Sequence, residues 1–588
     1  MVRWDVRYGF ATLLITVVQM KAHTTPTPLP LSALRTPEAW EKLEKDRMLE
    51  ILNSLPEPQS YLTHEQLLAY KRQVMDLRVR INRHRHHKPL QDAHVALLRD
   101  SMCQLRILLW RMFPFNKLPV EIIVNIFRYA AWSTLNSPSG ILLRFRLTWV
   151  CRRWRHIAVH DPTLWNTIWF KDVNFGYQRS KLYFERAGTT TLDLRIEDDE
   201  KSRLIPGRPM TGDDMNQILD ILMMKSNQIR LLVVVAELWP PILVLLDRLY
   251  RSSRSLQQLE RIEIHRTGRP YRWDGPSYRL SDYQYALNFC NGNTQRIKHI
   301  CLNGIHLDWE RSRFINLSHL DFRRMPPDLG PSLERFRYIL QSSPNLKKLS
   351  LDGAGPIEST NRYPPVSLPR LESLIIGDVP VQHAIFYAKT IHAPNVREMT
   401  LLNLMGEDHT MLFKVLTGKF PELLMLTLYA LHIRRVAENG RIMMQWFLSI
   451  PKIKFLRVAL LKVDLLDLFN VDGRLHISND IPLNMNPEDR DAFLENGSPL
   501  ILSRELEAVE VQEIGIDSVI KFVHDRKKLG VPLRKLYIHY NWWVKMNPDE
   551  KATIQELARG EPEYFLKTTM PMSLTPAEES IWKEIRGG

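Results

Sequence analysis

The sequence predicts a mixed fold, in which an all-α module precedes an α/β solenoid of parallel strands. Two patterns predict it. In the first quarter of the chain, apolar residues recur at three- and four-residue steps, as in amphipathic helices. Farther on, the strand pattern apolar-x-x-apolar-x-apolar recurs about every 25 residues, often after a proline. A chain of 588 residues is also too long for a single hydrophobic core, so several modules are expected.

The composition is that of a soluble globular protein, with 44% hydrophobic and 25% charged residues. A formal net charge of +15 would favour acidic partners, nucleic acid or an anionic membrane. However, the 80 Lys and Arg residues are interleaved with 65 Asp and Glu residues, which is typical of solvated faces. We therefore expect no membrane partner, and the charge pattern disfavours nucleic acid.

The four cysteines are far apart in sequence, and none forms a C-x-x-C pair. This argues against a disulfide framework and a thiolate zinc site, so a reducing compartment, cytoplasm or nucleus, is expected. The apolar stretch Phe10–Met20 is about half the length of a membrane-spanning helix. A signal peptide is an alternative because Arg3 and Arg7 precede the stretch, but no small-residue cleavage site closes it.

Residues 1–36 are predicted to be a leader or linker rich in Pro and Thr, and residues 37–112 a helical lead-in. Within the lead-in, Thr63 is a suitable N-cap for a helix that extends to Arg85. The basic run from Arg80 to Lys88 is either an exposed helix end or a patch for nuclear import or nucleic acid. Its histidines lack a second group of ligands, so no metal site is predicted.

Residues 113–170 are predicted to form a small helical module. Pro119 suits the first turn of a helix, where its missing N–H costs nothing, and an apolar stripe then runs from Val120 to Ala130. A polar insert, Ser133 to Ile141, separates this helix from a second amphipathic helix, which ends at Asp161. Both helices must bury an apolar face.

Four fragments of this module resemble the F-box proteins of the SCF ubiquitin-ligase system. They are LPxEI at Leu118–Ile122, IF at Ile126–Phe127, VCRRWRxIA at Val150–Ala158 and PTLW at Pro162–Trp165. Their order and spacing over about 50 residues are those of the family. The helical lead-in and the phrase FERAGTTTLDLRI after the module also resemble the large fungal group of F-box proteins.

The resemblance implies a docking surface for a Skp-type adaptor and a small internal core. The adaptor-binding residues would be Leu118, Pro119, Ile122, Ile123, Ile126 and Phe127. The module would be held together by Val150, Trp154 and Trp165. A domain of this size cannot hide all of its apolar side chains, so some form an exposed patch until a partner covers them.

The strand pattern repeats through residues 171–545. Its clearest copies begin at Leu346, Leu371 and Val396, at intervals of 25 residues, within the range of about 20 to 29 that marks leucine-rich repeats. The other copies begin at Thr189, Ile229, Leu259, Ile297, Leu317, Leu423, Ile453, Leu506 and Leu533. The long gap after Ile453 predicts a lost or displaced strand, and residues 546–588 are predicted to be a C-terminal cap or tail.

The whole fold is thus predicted to be an all-α F-box module followed by an α/β leucine-rich-repeat solenoid, right-handed and with parallel strands. Side chains between the buried positions of each strand should face a partner. Candidate substrate contacts on this face are Lys348, Arg397, Phe455, Arg457 and Tyr537. Their mixed chemistry suits a protein better than a phosphate backbone.

No phosphate loop, dinucleotide turn, zinc-protease helix or nucleophile elbow is present in the sequence, so no catalytic residue and no cofactor are predicted. The predicted function is substrate recognition in an SCF-type ubiquitin ligase, without catalysis. The F-box would bind a Skp-type adaptor, and through it a cullin, and the repeats would bind an unknown protein target. The alternative is a basic repeat scaffold that binds nucleic acid or anionic surfaces outside a ligase.

Overall fold

The structure is a computed structural model of the chain. It describes residues 63–85, 97, 100–105, 107–109, 118–132, 137–170, 177–198, 208–268, 288–292, 295–325, 329–358, 363–434, 437–461, 465–469, 501–538 and 540–560. The predictions for the leader 1–36, for Phe10–Met20 and for the end of the basic run at 86–88 lie outside the described residues. So does most of the tail, from residue 561 onwards.

The chain divides into two units. The first comprises residues 1–168 and 181–190, and the second comprises residues 169–180 and 191–588. Helices dominate the first unit, and a large sheet dominates the second. Within the described ranges, no helix combines the length and apolarity needed to cross a bilayer.

Up to residue 160, the helices of the first unit with described bounds are α1 His64–Arg85, α2 Val120–Trp132, α3 Ser137–Val150 and α4 Arg152–His160. The predicted start of α1 is confirmed, since the Thr63 hydroxyl accepts a hydrogen bond from the Gln66 N–H at 3.2 Å. In return, the Gln66 side chain accepts from the Thr63 N–H at 3.0 Å. This reciprocal capping box satisfies N–H groups that the first turn leaves unpaired.

The region after α2 differs from the sequence prediction in two places. Helix α3 begins at Ser137, inside the predicted polar insert, and the predicted second helix is divided at Cys151. Cys151 is extended, with φ of −158°, and its sulfur accepts a hydrogen bond from the Trp154 N–H at 3.4 Å. Cysteine therefore acts as the N-cap of α4, a role that residue preferences do not predict because Ser, Thr, Asp and Asn dominate there.

Fifteen strands are present among the described residues. They are β1 Thr167–Phe170, β2 Leu192–Glu197, β3 Ile229–Ala236, β4 Arg261–Arg266, β5 His299–Asn303, β6 His319–Arg323, β7 Lys348–Asp352, β8 Val366–Ser367, β9 Ser373–Gly377, β10 Ile391–His392, β11 Glu398–Leu402, β12 Met425–Tyr429, β13 Phe455–Ala459, β14 Ala508–Gln512 and β15 Lys535–Ile538. Strands β8 and β10 pair with each other, and the other thirteen form one sheet.

The strands of the large sheet follow one another in chain order, and every pairing from β2 to β15 is parallel. All twelve strands predicted from the repeat pattern are present, as β2–β7, β9 and β11–β15. Strand β13 pairs directly with β14, so no strand lies between them at the long gap in the repeat. The sequence pattern did not predict β1, β8 or β10.

Helices lie between most successive strands of the large sheet. The described ones after α4 are α5 Gln178–Arg186, α6 Gly212–Met223, α7 Trp239–Arg251, α8 Leu333–Gln341, α9 Val381–Thr390, α10 Thr410–Leu416, α11 Ala437–Leu448, α12 Leu465–Leu468, α13 Ile516–Lys528, α14 Tyr540–Lys545 and α15 Pro548–Gly560. Short 3-10 turns occupy Pro162–Leu164, Ser226–Gln228 and Phe289–Gly292. The apolar patterns of SLERFRYILQSS and RIMMQWFLSI predict helices between strands, and α8 and α11 confirm both.

Alternate side chains of each strand lie on opposite sides of the sheet, and one of these sides is fully buried. In β7, Leu349 and Leu351 are fully buried, and in β9, which is paired in register, Leu374 and Ile376 are buried as well. Burying an aliphatic side chain contributes roughly 1.5–3 kcal/mol, so these two columns hold the sheet to its core. The intervening side chains form the other side of the sheet, which we call the open face.

A left-handed residue follows most of the strands from β5 to β14. Residues with positive φ at this position are Gly304, Arg324, Gly353, Asp378, Asn403, Ala430, Leu460 and Glu513. Their N–H groups extend the ladder; that of Ala430, for example, donates to the carbonyl of Ala459 at 2.9 Å. Only two of the eight are glycine, so most repeats carry the strain of an L residue in this conformation.

The strain of the left-handed residue after β12 yields a prediction about the free energy of unfolding. Replacing Ala430, at φ of 51°, by glycine should raise the free energy of unfolding by about 0.5–1 kcal/mol. Ala459→Gly, in the extended and buried part of β13, is the matched control and should lower it by about 1 kcal/mol. Urea denaturation followed by circular dichroism measures both. Equal destabilisation by the two variants would contradict the explanation.

Candidate functional site

Helix α2 begins directly after Leu118 and Pro119. The Pro119 carbonyl accepts hydrogen bonds from the N–H groups of Ile122 and Ile123, both at 3.1 Å, and thus closes the first turn. Pro119 has no N–H to lose there, so the helix starts at no cost in hydrogen bonds. Pro119 is exposed, Leu118 is half-buried, and Val120 in the first turn is 47% exposed.

Helix α2 carries apolar side chains on two adjacent faces. Ile123, Phe127 and Ala131, at four-residue steps, are buried in the first unit. Beside them lies an outward stripe, which we call the α2 surface: Pro119, Ile122, Ile126 and Tyr129. Ile122 is 45% and Tyr129 77% exposed, and Ile126 is half-buried. An apolar stripe this close to the core is typical of a surface that a partner covers.

Helix α4 holds α2 in place. The Phe127 ring packs against the Trp154 ring, with centroids 4.8 Å apart and planes at 53°. One residue earlier, the Arg153 guanidinium donates to the Leu118 carbonyl at 3.3 Å. Two neighbouring residues of α4 therefore position both the middle of α2 and the segment that leads into it. The α2 surface is consequently presented by a fixed helix rather than by a loop.

Trp165 anchors the end of the module. Its indole Nε1–H donates to the Ala158 carbonyl at 2.7 Å, and its ring meets Tyr183 edge to face at 4.8 Å. The Arg186 guanidinium lies 4.6 Å from the Trp165 ring centroid, a cation–π distance. The side chain is fully buried, so its polar atom needs this bond, and the interaction joins α4 to residues 181–190.

Asp161 is a structural residue whose bonds the sequence did not reveal. It is 8% exposed, and its carboxylate accepts from Arg128 on α2 at 3.1 and 3.3 Å. The same carboxylate accepts from the Thr163 hydroxyl at 2.8 Å and caps the short turn at Pro162–Leu164. An Asp directly before Pro-Thr is a sequence signal for an N-cap, so the capping role of Asp161 could be predicted. The same signal does not predict its ion pair with Arg128.

The predicted adaptor-binding residues do not all reach the surface. Of the six, Pro119 and Ile122 are exposed, Leu118 and Ile126 are half-buried, and Ile123 and Phe127 are buried at 0% and 1% exposure. Ile123 and Phe127 would therefore act by holding α2 in position, contrary to the exposure expected of direct contacts. The three residues predicted for the core, Val150, Trp154 and Trp165, are buried.

The five candidate substrate contacts are spread over strands β7 to β15. Arg397 is exposed just before β11, and Lys348 is half-buried on β7. Phe455 and Tyr537 are buried at 1% and 4% exposure, contrary to the exposure expected of partner contacts. Arg457 is occupied by Glu510 at 2.8 Å. Phe455 and Tyr537 pack with Met425 and Ala508 in one apolar cluster, which a period-2 pattern cannot predict because it assigns them to the open face.

Ion pairs within strands and between neighbouring strands neutralise much of the open face. Arg323 donates to both carboxylate oxygens of Asp321, at 2.8 and 2.5 Å. At the other end of the sheet, Lys454 and Arg534 both lie near Glu507, at 3.6 and 3.5 Å. Alternating charges of this kind differ from the single-sign stripe that follows a phosphate backbone.

A group of histidines surrounds Glu263 on β4. Two imidazoles lie near its carboxylate, His265 at 3.3 Å and His299 at 3.5 Å, and His299 stacks on His319 with centroids 4.9 Å apart. Burial acts to raise the pKa of Glu263, but the hydrogen bond from His265 and the charge of Arg261 outweigh it and lower the pKa to about 2. Burial, aided by Arg261 and His319, lowers the pKa of His299 to about 4. His299 is therefore neutral at physiological pH.

Metal binding and cysteine reactivity have little support in the described parts of the chain. No three His, Cys, Asp or Glu side chains there are grouped to hold a metal ion. The four cysteines are free thiols, and three of them are buried. Burial raises the pKa of Cys290 to about 12, which leaves its thiol protonated and unreactive.

Comparison with protein families agrees with this geometry. Residues 115–171 match the family model of the F-box-like domain, so the chain carries an F-box-like domain at the position of α2, α3 and α4. A search of curated proteins found no match. F-box domains generally bind Skp-type adaptors and are typically non-catalytic. The resemblance drawn from LPxEI, IF, VCRRWRxIA and PTLW is thereby confirmed for the domain itself.

The anchoring role of Trp165 can be tested. Trp165→Phe removes the Nε1–H bond to Ala158 and leaves a buried carbonyl without that donor, which should lower the free energy of unfolding by about 1–3 kcal/mol. Trp149→Phe, at a side chain 40% exposed on α3, is the control and should change it by less than about 0.5 kcal/mol. Thermal denaturation of the two variants gives the comparison. Equal losses would contradict the assigned role.

Proposed function

We propose that this protein is the substrate-recognition subunit of an SCF-type ubiquitin ligase. Its F-box-like domain binds a Skp-type adaptor, and through that adaptor a cullin, while the sheet of the second unit binds a protein target. The protein itself is not an enzyme, because other subunits would transfer ubiquitin. The observation that carries the proposal is the α2 surface within residues that match an F-box-like domain.

The α2 surface has the properties of an adaptor-binding site. Ile122 and Tyr129 are large and exposed, yet they border a core in which Ile123 and Phe127 are at most 1% exposed. Leaving such side chains in water has a cost that a partner removes, at about 25 cal/mol per Å² of apolar surface covered. Trp154 and Asp161 fix the helix beforehand, so little ordering is needed on binding.

The second unit is proposed to be a right-handed leucine-rich-repeat solenoid. Lys348, Ser373 and Glu398 are paired in register on β7, β9 and β11 and lie 25 residues apart. A left-handed residue after each of these strands turns the chain at the same point of each repeat. Twelve parallel strands at about 4.8 Å spacing make an open face on the order of 50 Å long, sufficient for a protein.

The compartment and the class of partner follow from the same proposal. Ubiquitin ligases of this class require a cytoplasmic or nuclear location, which agrees with four cysteines that form no disulfide. Nucleic-acid binding outside a ligase would need an unpaired cationic stripe. On the described part of the open face, Arg261, Arg323 and Arg457 are instead paired with carboxylates.

Adaptor binding provides the test. Pro119→Ala combined with Ile122→Asp should weaken binding of a purified Skp-type adaptor by about 30- to 1,000-fold, because a charge would be buried at the centre of the interface. Met411→Asp, at a residue 55% exposed on α10, places the same charge on the second unit and should leave adaptor affinity unchanged. Surface plasmon resonance on the full chain measures both. Unchanged affinity of the double variant, with the melting temperature preserved, would refute the proposed docking site.

A further inference from the structure

Helix α1 carries apolar side chains on two opposite sides. Its inner side, at most 6% exposed, consists of Val74, Leu77 and Ile81. Its outer side carries Leu68, Met75 and Val79, which are 40%, 69% and 56% exposed. At 3.6 residues per turn, the outer three lie within about 40° of one another and roughly 150° from the inner side. We call the outer row the α1 seam, and three apolar side chains in one exposed line indicate a surface that a partner covers.

The spacing of the α1 seam is that of a helix–helix contact. Met75 follows Leu68 after seven residues, and Val79 follows Met75 after four. These steps place the three residues at the d, d and a positions of a heptad repeat, with Arg72 at the intervening a position. The seam extends about 16 Å along the helix axis, or about three turns. A row this narrow is typical of the contact with a second helix, whereas membrane-surface helices bury a broader apolar face.

Cations surround the α1 seam. The exposed basic residues of the helix are Lys71, Arg72, Arg78, Arg80 and Arg83. Within the described ranges, none of these five side chains forms a hydrogen bond or an ion pair. In the heptad register, Lys71 and Arg78 occupy g positions and Arg83 an e position, beside the seam. Carboxylates at the flanking positions of a partner helix would therefore meet three cations that are available for pairing.

A second copy of this chain fits the α1 seam poorly. In a parallel pair of α1 helices, the two Arg72 side chains would face each other, and Arg78 of either helix would lie beside Arg83 of the other. An antiparallel pair would bring Lys71 and Arg78 together instead. Like charges this close are destabilising. Nucleic acid is also disfavoured, because single-strand sites combine cations with aromatic side chains, and the seam has no aromatic residue.

We propose that the α1 seam binds an amphipathic helix of a partner protein that carries Glu or Asp beside its own apolar row. The apolar row of the partner covers Met75 and Val79, and its carboxylates pair with Lys71 and Arg78. This surface shares no residue with the α2 surface or with the open face. The protein therefore binds an acidic helix independently of an adaptor on α2 and of a target on the sheet.

A designed peptide tests the α1 seam on the full-length protein. The probe has four heptads, with Leu at a and d and Glu at e and g, and the control peptide has Lys in place of Glu. The acidic peptide is expected to bind with a Kd of about 1–100 µM at about 150 mM salt. The basic peptide should bind at least about tenfold more weakly, because it places like charges against Lys71 and Arg78. Fluorescence anisotropy of the labelled peptides measures both affinities.

One double variant tests the apolar contribution. Met75→Ala with Val79→Ala removes apolar contact without weakening the helix, so the affinity for the acidic peptide should fall about 10- to 100-fold. Gln73→Ala, at an exposed residue on another side of α1, is the matched control and should change the affinity less than about twofold. All three side chains are exposed, so the melting temperature should be preserved.

A second double variant tests the charges. Lys71→Glu with Arg78→Glu should reverse the preference, so that the basic peptide binds more tightly than the acidic one. Arg80→Glu makes the same change of charge at a b position, away from the seam, and should leave the preference for the acidic peptide intact. Affinity for a Skp-type adaptor is expected to stay unchanged in every α1 variant. Failure at the seam is therefore distinguishable from failure of the docking site on α2.

Several outcomes would overturn the inference. Undiminished binding to Met75→Ala with Val79→Ala would show that charge alone attracts the peptide. A retained preference for the acidic peptide in Lys71→Glu with Arg78→Glu would place its binding elsewhere. Tighter binding of single-stranded RNA or of phosphatidylserine vesicles than of the acidic peptide would assign the cations to nucleic acid or to a membrane. No binding of the peptide up to about 1 mM would exclude a helix-binding role.

Discussion

The parallel pairing of each strand with the next strand in the chain is the constraint on which the second unit depends. Every strand of the large sheet from β2 to β14 obtains its ladder hydrogen bonds from the strands on either side of it, so no strand is stable alone. Two buried aliphatic columns, represented by Leu349 and Leu351, keep the strands in one register. A slip of one residue would move these side chains to the open face and place charged ones in the core.

The same register determines the chemistry of the open face. Because residues in one column are about 4.8 Å apart, side chains of opposite sign on adjacent strands meet, as Arg457 and Glu510 do. Ion pairs cover much of this face, and Phe455 and Tyr537 belong to a buried apolar cluster.

The F-box-like domain is limited by its small size. With few residues, it uses Phe127, Trp154 and Trp165 to form a core and leaves Ile122 and Tyr129 outside. Hydrogen bonds at its edges, from Arg128 to Asp161 and from Arg153 to the Leu118 carbonyl, fix the helix that carries those exposed side chains. A rigid apolar surface of this kind can be bound without first being ordered.

The sequence by itself determined the twelve repeat strands, the F-box-like domain and the position of Pro119 at the start of α2, because hydrophobic period and helix-start signals are local. It could not assign Cys151 as a cap or Asp161 as the partner of Arg128, since those bonds join residues through space. Only the tertiary structure decided that Ile123, Phe127, Phe455 and Tyr537 are buried. Burial depends on which strands and helices become neighbours, and a pattern along the chain records only which side of its own element a residue occupies.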